Sequence, residues 1–323
     1  MLSDKMASFE PKMSIDEVAE FLGSSVESVY KQLEEKELKL PRFGNHYYMN
    51  FSIAREFLAI PFQRKKIAVE IVKGGTGKTT TVDNVSSCLN TYGARVLMID
   101  ADPQGNLTVA KGIDDINLPV LIDVLNEEAS IEQTIVNLAP GLDLIPSRID
   151  NIVIDTKIIN DQLSIEKLFG NLLVSITKNY DFIIIDLPPS LGLLVTAATL
   201  FADMVVAPLN PDVLSITGFN LLQDGIKKLE KNFQKNLEFR YFLNKYNSHT
   251  KLSNLVHEKL NDNKRFGKIM QTTVRHTQKL QNLMNAKSNV FTSLEISLVR
   301  DDFNKLTREL LEITPATETK KGA

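Results

Sequence analysis

Short apolar stretches alternate along most of the chain with longer segments in which apolar residues recur at helical spacing. The clearest apolar stretches cover residues 67–72, 95–99, 182–185 and 204–207. Stretches of this kind predict strands that are buried on both faces of a sheet. The amphipathic segments between them predict helices. The pattern therefore predicts an α/β fold, with a mostly parallel twisted sheet and helices on both of its faces.

The boundaries of the shorter elements follow from the same pattern. A helix is expected over residues 78–92, where Gly93 supplies a C-terminal cap. The remaining predictions are helical segments over 121–125, 131–136 and 151–178, and strands over 142–146 and 239–243.

The first 60 residues have a different pattern, with short helical segments separated by turns. The predicted elements are capped helices over 15–22 and 25–36, a hairpin over 41–49 and a helix over 52–58. Ser14 and Glu17 have the spacing of a capping box, and Ser25 is placed to cap the second helix. Two short helices followed by a small β wing form a helix-turn-helix layout. This segment resembles the excisionase/MerR-like winged modules.

If this N-terminal segment binds DNA, its second helix would enter the major groove. The side chains offered would be Ser28, Lys31 and Gln32 from that helix, with Arg42 and His46 from the hairpin. Residues 1–62, however, carry seven basic and ten acidic side chains, which disfavours attraction to phosphates. Docking of another protein, or dimerisation, remains an open alternative.

Composition narrows the class of protein. Charged residues make up 24% and hydrophobic residues 43% of the 323 residues, as in ordinary globular proteins. No apolar run approaches the roughly 18 residues of a membrane span, so we expect a cytoplasmic protein without a membrane partner. The single cysteine, Cys88, excludes a disulfide framework, and its place in the 78–92 segment favours a buried thiol.

A glycine-rich loop connects the first apolar stretch to the helix that follows it. Its sequence is Lys73-Gly74-Gly75-Thr76-Gly77-Lys78-Thr79-Thr80. Backbone N–H groups and a helix N-terminus can surround nucleotide phosphates there, with Lys78 placed for the β and γ oxygens and the Thr79 hydroxyl for Mg²⁺. A plain glycine turn is the alternative, but the strand before it and the helix after it favour a nucleotide site.

Two acidic motifs follow later strands. Asp100 and Asp102 flank one alanine where a buried strand ends, and Asp186 directly follows another strand. Since ligands bind at the carboxyl ends of parallel strands, we expect these carboxylates beside the glycine loop. A carboxylate at that position can orient an attacking water or hold Mg²⁺ through water. For Asp100 alone, capping of the turn before Pro103 is an alternative.

The loop departs from the strict phosphate-loop pattern, which has a glycine five residues before Gly77. This chain has Val72 at that position, followed by an additional lysine, Lys73. Together with the acidic motifs, this resembles the deviant loop of the ParA/MinD class of ATPases, and over residues 65–312 the chain is similar to ParA-type partition ATPases. The resemblance implies a P-loop NTPase fold of the deviant Walker type, ATP and Mg²⁺ as cofactors, and slow ATP hydrolysis.

The resemblance also implies a role for each site residue. Lys78 and the loop amides would bind phosphates within one chain, whereas Lys73 would reach the nucleotide of a second copy in an ATP-sandwich homodimer. Asp102 would orient the attacking water. Asp100, Asp186 and Thr79 would support Mg²⁺.

A later segment resembles the part of these ATPases that borders the base and the dimer face. It contains Pro208, Asn210 and Asp212, and the family usually has glutamate where this chain has Asp212. Asn244 is similar to the asparagine that reads the adenine edge. The asparagine-glutamine pair that often precedes the first loop lysine is replaced here by isoleucine and valine at 71–72.

Positive charge is concentrated near the C-terminal end, where residues 251–300 contain nine Lys or Arg and three Asp or Glu. The candidates for DNA contact are Lys264, Arg265, Lys268, Arg275, Lys279 and Lys287. Arg275 falls where similar proteins carry a DNA-binding arginine. The resemblance implies that the ATP dimer binds DNA without sequence preference and associates with the nucleoid. It also implies a ParB-like centromere-binding adaptor that stimulates hydrolysis. The alternative for the basic residues is that they lie on a solvated helix face and contact no DNA.

The expected domain organisation combines these observations. It consists of a disordered leader over 1–12, a winged helix-turn-helix module over 13–60, a linker over 61–66, an ATPase domain over 67–312 and a flexible tail over 313–323. The principal expectation is a DNA partition ATPase, and a nucleotide-regulated transcriptional repressor acting on operator DNA is the alternative. A membrane-cycling MinD-like regulator would need a basic amphipathic C-terminal helix, which Pro315 disfavours.

Overall fold

An eight-stranded sheet forms the centre of the computed structural model, which describes residues 9–250, 253, 256 and 267–315. Its strands are β4 (Lys65–Val69), β5 (Val96–Asp100), β6 (Val136–Ala139), β7 (Leu142–Ile145), β8 (Phe182–Asp186), β9 (Met204–Leu209), β10 (Glu238–Leu243) and β11 (Lys268–Ile269). Their order across the sheet is β11-β10-β9-β4-β8-β5-β7-β6. Among the described strands of this sheet, only β6 and β7 pair antiparallel. The predicted mostly parallel α/β fold is confirmed.

Helices cover both faces of this sheet and also form part of the N-terminal segment. They are α1 (Ile15–Leu22), α2 (Val26–Glu35), α3 (Phe51–Phe57), α4 (Lys78–Thr91), α5 (Asn106–Ala110), α6 (Leu121–Leu125), α7 (Ile154–Asn160), α8 (Leu168–Leu172), α9 (Leu193–Phe201), α10 (Val213–Phe233), α11 (Gln278–Asn285) and α12 (Leu298–Leu311). Alternate residues of β8 show the layering. Phe182 and Ile184 pack in the layer with α4 and α12, whereas Ile183 and Ile185 pack in the layer with α7 to α9.

The expected helix over residues 131–136 is wrong in its second half. A 3₁₀ turn covers Ile131–Thr134, and β6 then begins at Val136 and pairs with β7. The β-branched side chains at 135–136 suit an extended edge strand. Periodicity alone could not show this, because the strand forms only where β7 is available as its partner.

The N-terminal elements form at the expected positions. Ser14 and Glu17 complete a capping box at α1, and the Ser25 hydroxyl caps α2. The hairpin consists of β2 (Arg42–Phe43) and β3 (His46–Met49), and β3 also pairs with β1 (Met13–Ser14). Two capped helices and a hairpin are therefore present, while their identity as a winged helix-turn-helix that binds DNA stays a prediction.

Residues 10–12 are ordered, which corrects the disordered leader expected over 1–12. The Lys12 backbone N–H donates to the Phe291 carbonyl at 2.7 Å. Its ammonium donates to the carbonyls of Glu10 at 2.7 Å and Thr292 at 2.9 Å. Burial lowers the pKa of the Lys12 ammonium, although Glu10 opposes that effect. The contacts with Phe291 and Thr292 could not be read from the local sequence. Residues 1–8 lie outside the described part of the chain.

The N-terminal segment packs directly on the larger domain. Phe21 of α1 makes an edge contact with Tyr92, with ring centroids 4.9 Å apart. The Arg55 guanidinium of α3 donates to the Gly93 carbonyl at 2.8 Å. Gly93 has φ +87°, and a Cβ there would lie 2.5 Å from the Arg55 backbone, so this approach requires glycine. Side chains from both parts form one continuous core cluster.

A buried ion pair also connects the N-terminal segment to the larger domain. Arg300 of α12 donates to both carboxylate oxygens of Glu17, at 2.6 and 2.9 Å, and also to the Lys12 carbonyl. Only 5% of the Arg300 side chain is exposed. A buried charge pair of this kind resists separation, because removing either partner would leave the other uncompensated.

Two boundaries of the predicted domain map also shift. Residues 65–66 of the expected linker belong to β4, where Lys65 pairs with Glu238 and Lys66 with Asp203. Ile313, expected in the flexible tail, is buried in the core, while residues 316–323 lie outside the described chain. Across the residues that are described, no helix combines the length and apolar character that a bilayer span requires.

Candidate active site

The glycine loop connects central strand β4 to α4, at the carboxyl edge of the sheet. Gly77 precedes the first helical residue and has φ +95°. A Cβ at Gly77 would lie only 2.2 Å from Nδ2 of Asn244, so any larger residue would displace that side chain. The positive φ and this close approach both require glycine at position 77.

Lys78 is largely buried at the start of α4. Its ammonium lies 3.4 Å from the carbonyl oxygens of Ile71 and Lys73. Burial lowers the pKa of Lys78, while the negative charges of Asp186 and Asp102 raise it. This arrangement holds a positive charge among the loop carbonyls, where phosphate oxygens would strengthen the charged form.

Asp100 organises the turn that carries the second acidic motif. Its carboxylate accepts hydrogen bonds from the Thr108 N–H at 2.9 Å, from the Thr108 hydroxyl at 2.7 Å and from the Asp102 N–H at 3.2 Å. Burial raises the pKa of Asp100 to about 6, although these hydrogen bonds oppose the rise. Asp100 therefore supports loop geometry, one of the two functions expected of it.

Asp186 differs from Asp100 in its hydrogen bonding. It lies directly beside Asp100 in the register of β5 and β8, and both of its buried carboxylate oxygens lack a hydrogen-bond partner within the described residues. Burial, followed by the charge of Asp100, raises the pKa of Asp186 well above its usual value, while Thr79 and Lys78 oppose that shift.

The Asp186 carboxylate fits a hard cation. A buried carboxylate without hydrogen-bond partners is costly, and a cation with its waters would satisfy it. Carboxylate and hydroxyl oxygens, from Asp186 and Thr79, are the ligand type that Mg²⁺ prefers. These residues therefore suit a magnesium ion held between the protein and a phosphate.

A cavity of about 950 Å³ opens in front of the loop. Its walls bring together several residues that the sequence predicts, namely residues 74–80, Asp102, Asn244 and Arg275. Asp100 and Asp186 are buried rather than part of these walls, and Pro208 lies within β9. The volume is sufficient for a nucleoside triphosphate.

Three side chains hold the carbonyl groups of the loop from the β9–β10 side. Asn244 Nδ2 donates to the Thr76 carbonyl at 2.6 Å. Lys245 Nζ donates to the Gly75 carbonyl at 2.7 Å, and Asn210 Nδ2 approaches the same oxygen at 3.3 Å. The Asn244 amide, expected to read the adenine edge, therefore contacts the glycine loop in this structure.

Lys73 is paired within its own chain. Its ammonium donates to both carboxylate oxygens of Asp212, at 2.6 and 2.7 Å, and lies 3.3 Å from the Ser215 hydroxyl. Asp212 also accepts the Ser215 N–H at 2.8 Å and so caps α10. The sequence indicates each residue separately but not their contact.

The expected DNA contacts are dispersed. Lys264 and Arg265 lie outside the described residues, and Lys268 is exposed on β11. Arg275 donates to both carboxylate oxygens of Asp302, and Lys279 pairs with Glu295. These two pairings reduce the charge available to a phosphate backbone, and the DNA-contact assignment stays a prediction.

Sequence reasoning missed one wall of the cavity. Residues 276–285, which include α11, face the glycine loop across the cavity, and the Thr80 hydroxyl lies 3.3 Å from Sδ of Met284. The cap at Thr277 and the amphipathic pattern that follows it could have revealed the helix. Its position opposite the loop depends on tertiary packing and has no local signal.

The strand–loop–helix arrangement and the strand-end carboxylates define a P-loop nucleoside triphosphatase. A family profile described as an AAA domain matches residues 64–239. The sporulation initiation inhibitor protein Soj of Bacillus subtilis (strain 168) is 35% identical over 175 residues, covering 54% of this chain and 69% of Soj. A ParA family protein of Chlamydia muridarum is 32% identical over 251 residues, covering 76% of this chain and 97% of that protein.

A solved structure agrees with these sequence matches. Cobyrinic acid a,c-diamide synthase from Mycobacterium smegmatis, with bound ATP analog and magnesium, superposes with a TM-score of 0.67 at 26% identity. The match covers 80% of this chain and 97% of that one. The chain belongs to the ParA family of ATPases.

Proposed function

We propose that this protein is a DNA partition ATPase that hydrolyses ATP with Mg²⁺ and uses the ATP state to bind DNA without sequence preference. The observation that carries the proposal is the loop with two lysines, Lys73 and Lys78, beside the strand-end carboxylates Asp102 and Asp186. Family membership supports it, since Soj and ParA family proteins are among the relatives. The magnesium and ATP analog in the matched synthase support the choice of cofactors.

Each residue of the site has a defined task in this proposal. Lys78 and the loop N–H groups bind the phosphates, while Asp186 and the Thr79 hydroxyl hold Mg²⁺, which neutralises phosphate charge when bound. Asp102 lines the cavity and orients the attacking water. Asp100 keeps the Asp102 turn in place through its contacts with Thr108.

The proposal extends to assembly and partners. Two ATP-bound copies close face to face, and Lys73 of each reaches the phosphates held by the other. The paired copies offer basic residues near the C-terminal end to nucleoid DNA, where several phosphate contacts add together. A ParB-like adaptor bound to plasmid or chromosome cargo stimulates hydrolysis and releases the dimer.

The test is binding of a random-sequence duplex by fluorescence anisotropy, with ATP and Mg²⁺, with ADP and Mg²⁺, and without nucleotide. We expect binding by the full chain only with ATP, loss of binding in Lys78→Ala, and persistent binding in Asp102→Ala because hydrolysis stalls. Salt titration checks the mechanism, since phosphate contacts weaken steeply with salt. Absence of ATP-dependent binding in the wild type would refute the nucleoid-based mechanism.

A second candidate is a nucleotide-regulated repressor that acts through the N-terminal segment. The observation in its favour is the pair of capped helices followed by the β2–β3 hairpin. Against it, the exposed surface of α2 carries Glu27, Glu34 and Glu35 and only one lysine, Lys31. The same assay with DNA from upstream of the protein's own gene separates the two functions, because only a repressor prefers that duplex.

A further inference from the structure

Asp212 binds the ammonium group that Lys73 is proposed to offer to the phosphates of a second copy. An ammonium group has three N–H donors. Around Lys73 Nζ there are three acceptors in the same chain, two from the Asp212 carboxylate at 2.6 and 2.7 Å and one from the Ser215 hydroxyl at 3.3 Å. The donors of Lys73 are thus engaged, and any phosphate contact must replace at least one of these partners.

The stem of Lys73 is also held in place. A Cβ built on Gly218 would lie 3.7 Å from the Lys73 Cβ, so the side chain runs along the first turns of α10. The Lys73 side chain is 24% exposed and that of Asp212 is 35% exposed. Partial burial shields the pair from solvent, which strengthens it relative to a fully exposed ion pair.

We propose that Asp212 is a positioning residue that retains Lys73 within its own chain and so opposes its transfer to the phosphates of a second copy. The inference rests on the proposed function, in which Lys73 acts across the dimer. ATP-dependent dimerisation then has to replace the Lys73–Asp212 pair with a Lys73–phosphate contact. The balance between these two partners of Lys73 sets the ATP concentration at which dimers form.

The second function of Asp212 makes a clean test possible. Its carboxylate caps α10 by accepting the Ser215 N–H at 2.8 Å. Asparagine is as good an N-cap as aspartate, so Asp212→Asn keeps the cap but removes the negative charge and one acceptor for Lys73. A variant that merely damaged the helix would lose stability, which Asp212→Asn is designed to avoid.

The experiment measures self-association of the full chain by sedimentation velocity across a titration of ATP with Mg²⁺. We expect Asp212→Asn to lower the ATP midpoint for dimer formation about fivefold, the upper end of the range measured for exposed ion pairs, because this pair is partly buried. Lys73→Gln should raise the midpoint, and adding Asp212→Asn to Lys73→Gln should change nothing further. Asp161→Asn is the matched control, because Asp161 forms a comparable 2.7 Å pair with Lys157 away from the loop.

The possible outcomes separate the two claims. An unchanged or higher midpoint in Asp212→Asn overturns the restraint, as does an equal effect of that substitution in the wild-type and Lys73→Gln backgrounds. If the wild type does not associate with ATP, or Lys73→Gln associates normally, the trans role of Lys73 fails and the restraint fails with it. An unfolding midpoint in urea equal to that of Lys73→Gln, which also lacks the ion pair, shows that Asp212→Asn retains the helix cap.

Discussion

At the residue scale, the site depends on side chains that hold other groups in position rather than on those that would touch a nucleotide. The Asp100 carboxylate accepts hydrogen bonds within the turn that carries Asp102, and the Asn244 amide donates a hydrogen bond to the glycine loop. Asp100 ends β5 and Asn244 directly follows β10, so the sequence indicated their location. Their partners could not be predicted, because Thr108 and Thr76 are brought to them by the tertiary fold.

Asn244→Ala tests this supporting role. Loss of the 2.6 Å bond to the Thr76 carbonyl leaves that oxygen without its partner and loosens the loop at Gly77. We expect affinity for both ATP and GTP to fall by about tenfold, corresponding to roughly 1–2 kcal/mol. Isothermal titration calorimetry measures both affinities. A loss confined to ATP would instead show that Asn244 reads the adenine edge.

Asn210→Ala is the matched control for this substitution. The Asn210 amide also approaches a loop carbonyl, that of Gly75, but at 3.3 Å and in a more exposed setting. We therefore expect a smaller loss of nucleotide affinity than in Asn244→Ala. Comparable losses would contradict the importance assigned to the shorter contact.

At the element scale, the central strands β4, β5, β8 and β9 were predictable because both of their faces are buried, which produces continuous apolar sequence. Edge strand β6 was not, since its four residues carry little signal without β7. Contacts between elements gave no local signal either. Glu70, which follows β4, is fully buried and accepts a 2.8 Å hydrogen bond from Thr199 of α9.

Glu70 should make stability depend on pH. Burial raises its pKa to about 7, while Thr199 and Lys78 oppose the rise. Because the folded pKa exceeds the unfolded one, the folded state binds the proton more tightly, and stability is lost as pH rises from about 4.5 through 7. Between pH 5 and 8 we expect the wild type to lose about 2 kcal/mol relative to Glu70→Gln.

Urea unfolding of both proteins at several pH values measures this difference. Glutamine can still accept the Thr199 hydrogen bond and cannot ionise, so the comparison isolates the Glu70 charge. Other titrating groups are common to both proteins and cancel in the difference. Parallel pH profiles would show that Glu70 stays ionised in the folded protein and would contradict the shifted pKa.

At the scale of the whole molecule, the N-terminal segment and the ATPase domain form one body. Phe21 packs on Tyr92, Arg55 binds Gly93, and Arg300 binds Glu17. The sequence indicated two units with a linker between them because it shows where elements begin and end. It could not show that their apolar surfaces meet in a shared core.

We therefore expect both parts to unfold in one transition. The chain has no tryptophan, so Tyr30→Trp and Val174→Trp, each at an exposed position, report separately on α2 and on the region after α8. Their fluorescence midpoints in urea should coincide with each other and with the far-UV circular dichroism midpoint. A separate, earlier transition in the Tyr30→Trp protein would show that the N-terminal segment unfolds by itself.

Helix α4 has a consequence for how this chain can vary. It carries Lys78 in its first turn. The residues just after it, Tyr92 and Gly93, contact the N-terminal segment. An α-helix turns by about 100° and rises about 1.5 Å per residue. Inserting or deleting one residue within α4 would rotate one contact surface away from its partner while the other stayed in place. We therefore expect the number of residues between Gly77 and Gly93 to tolerate neither insertion nor deletion.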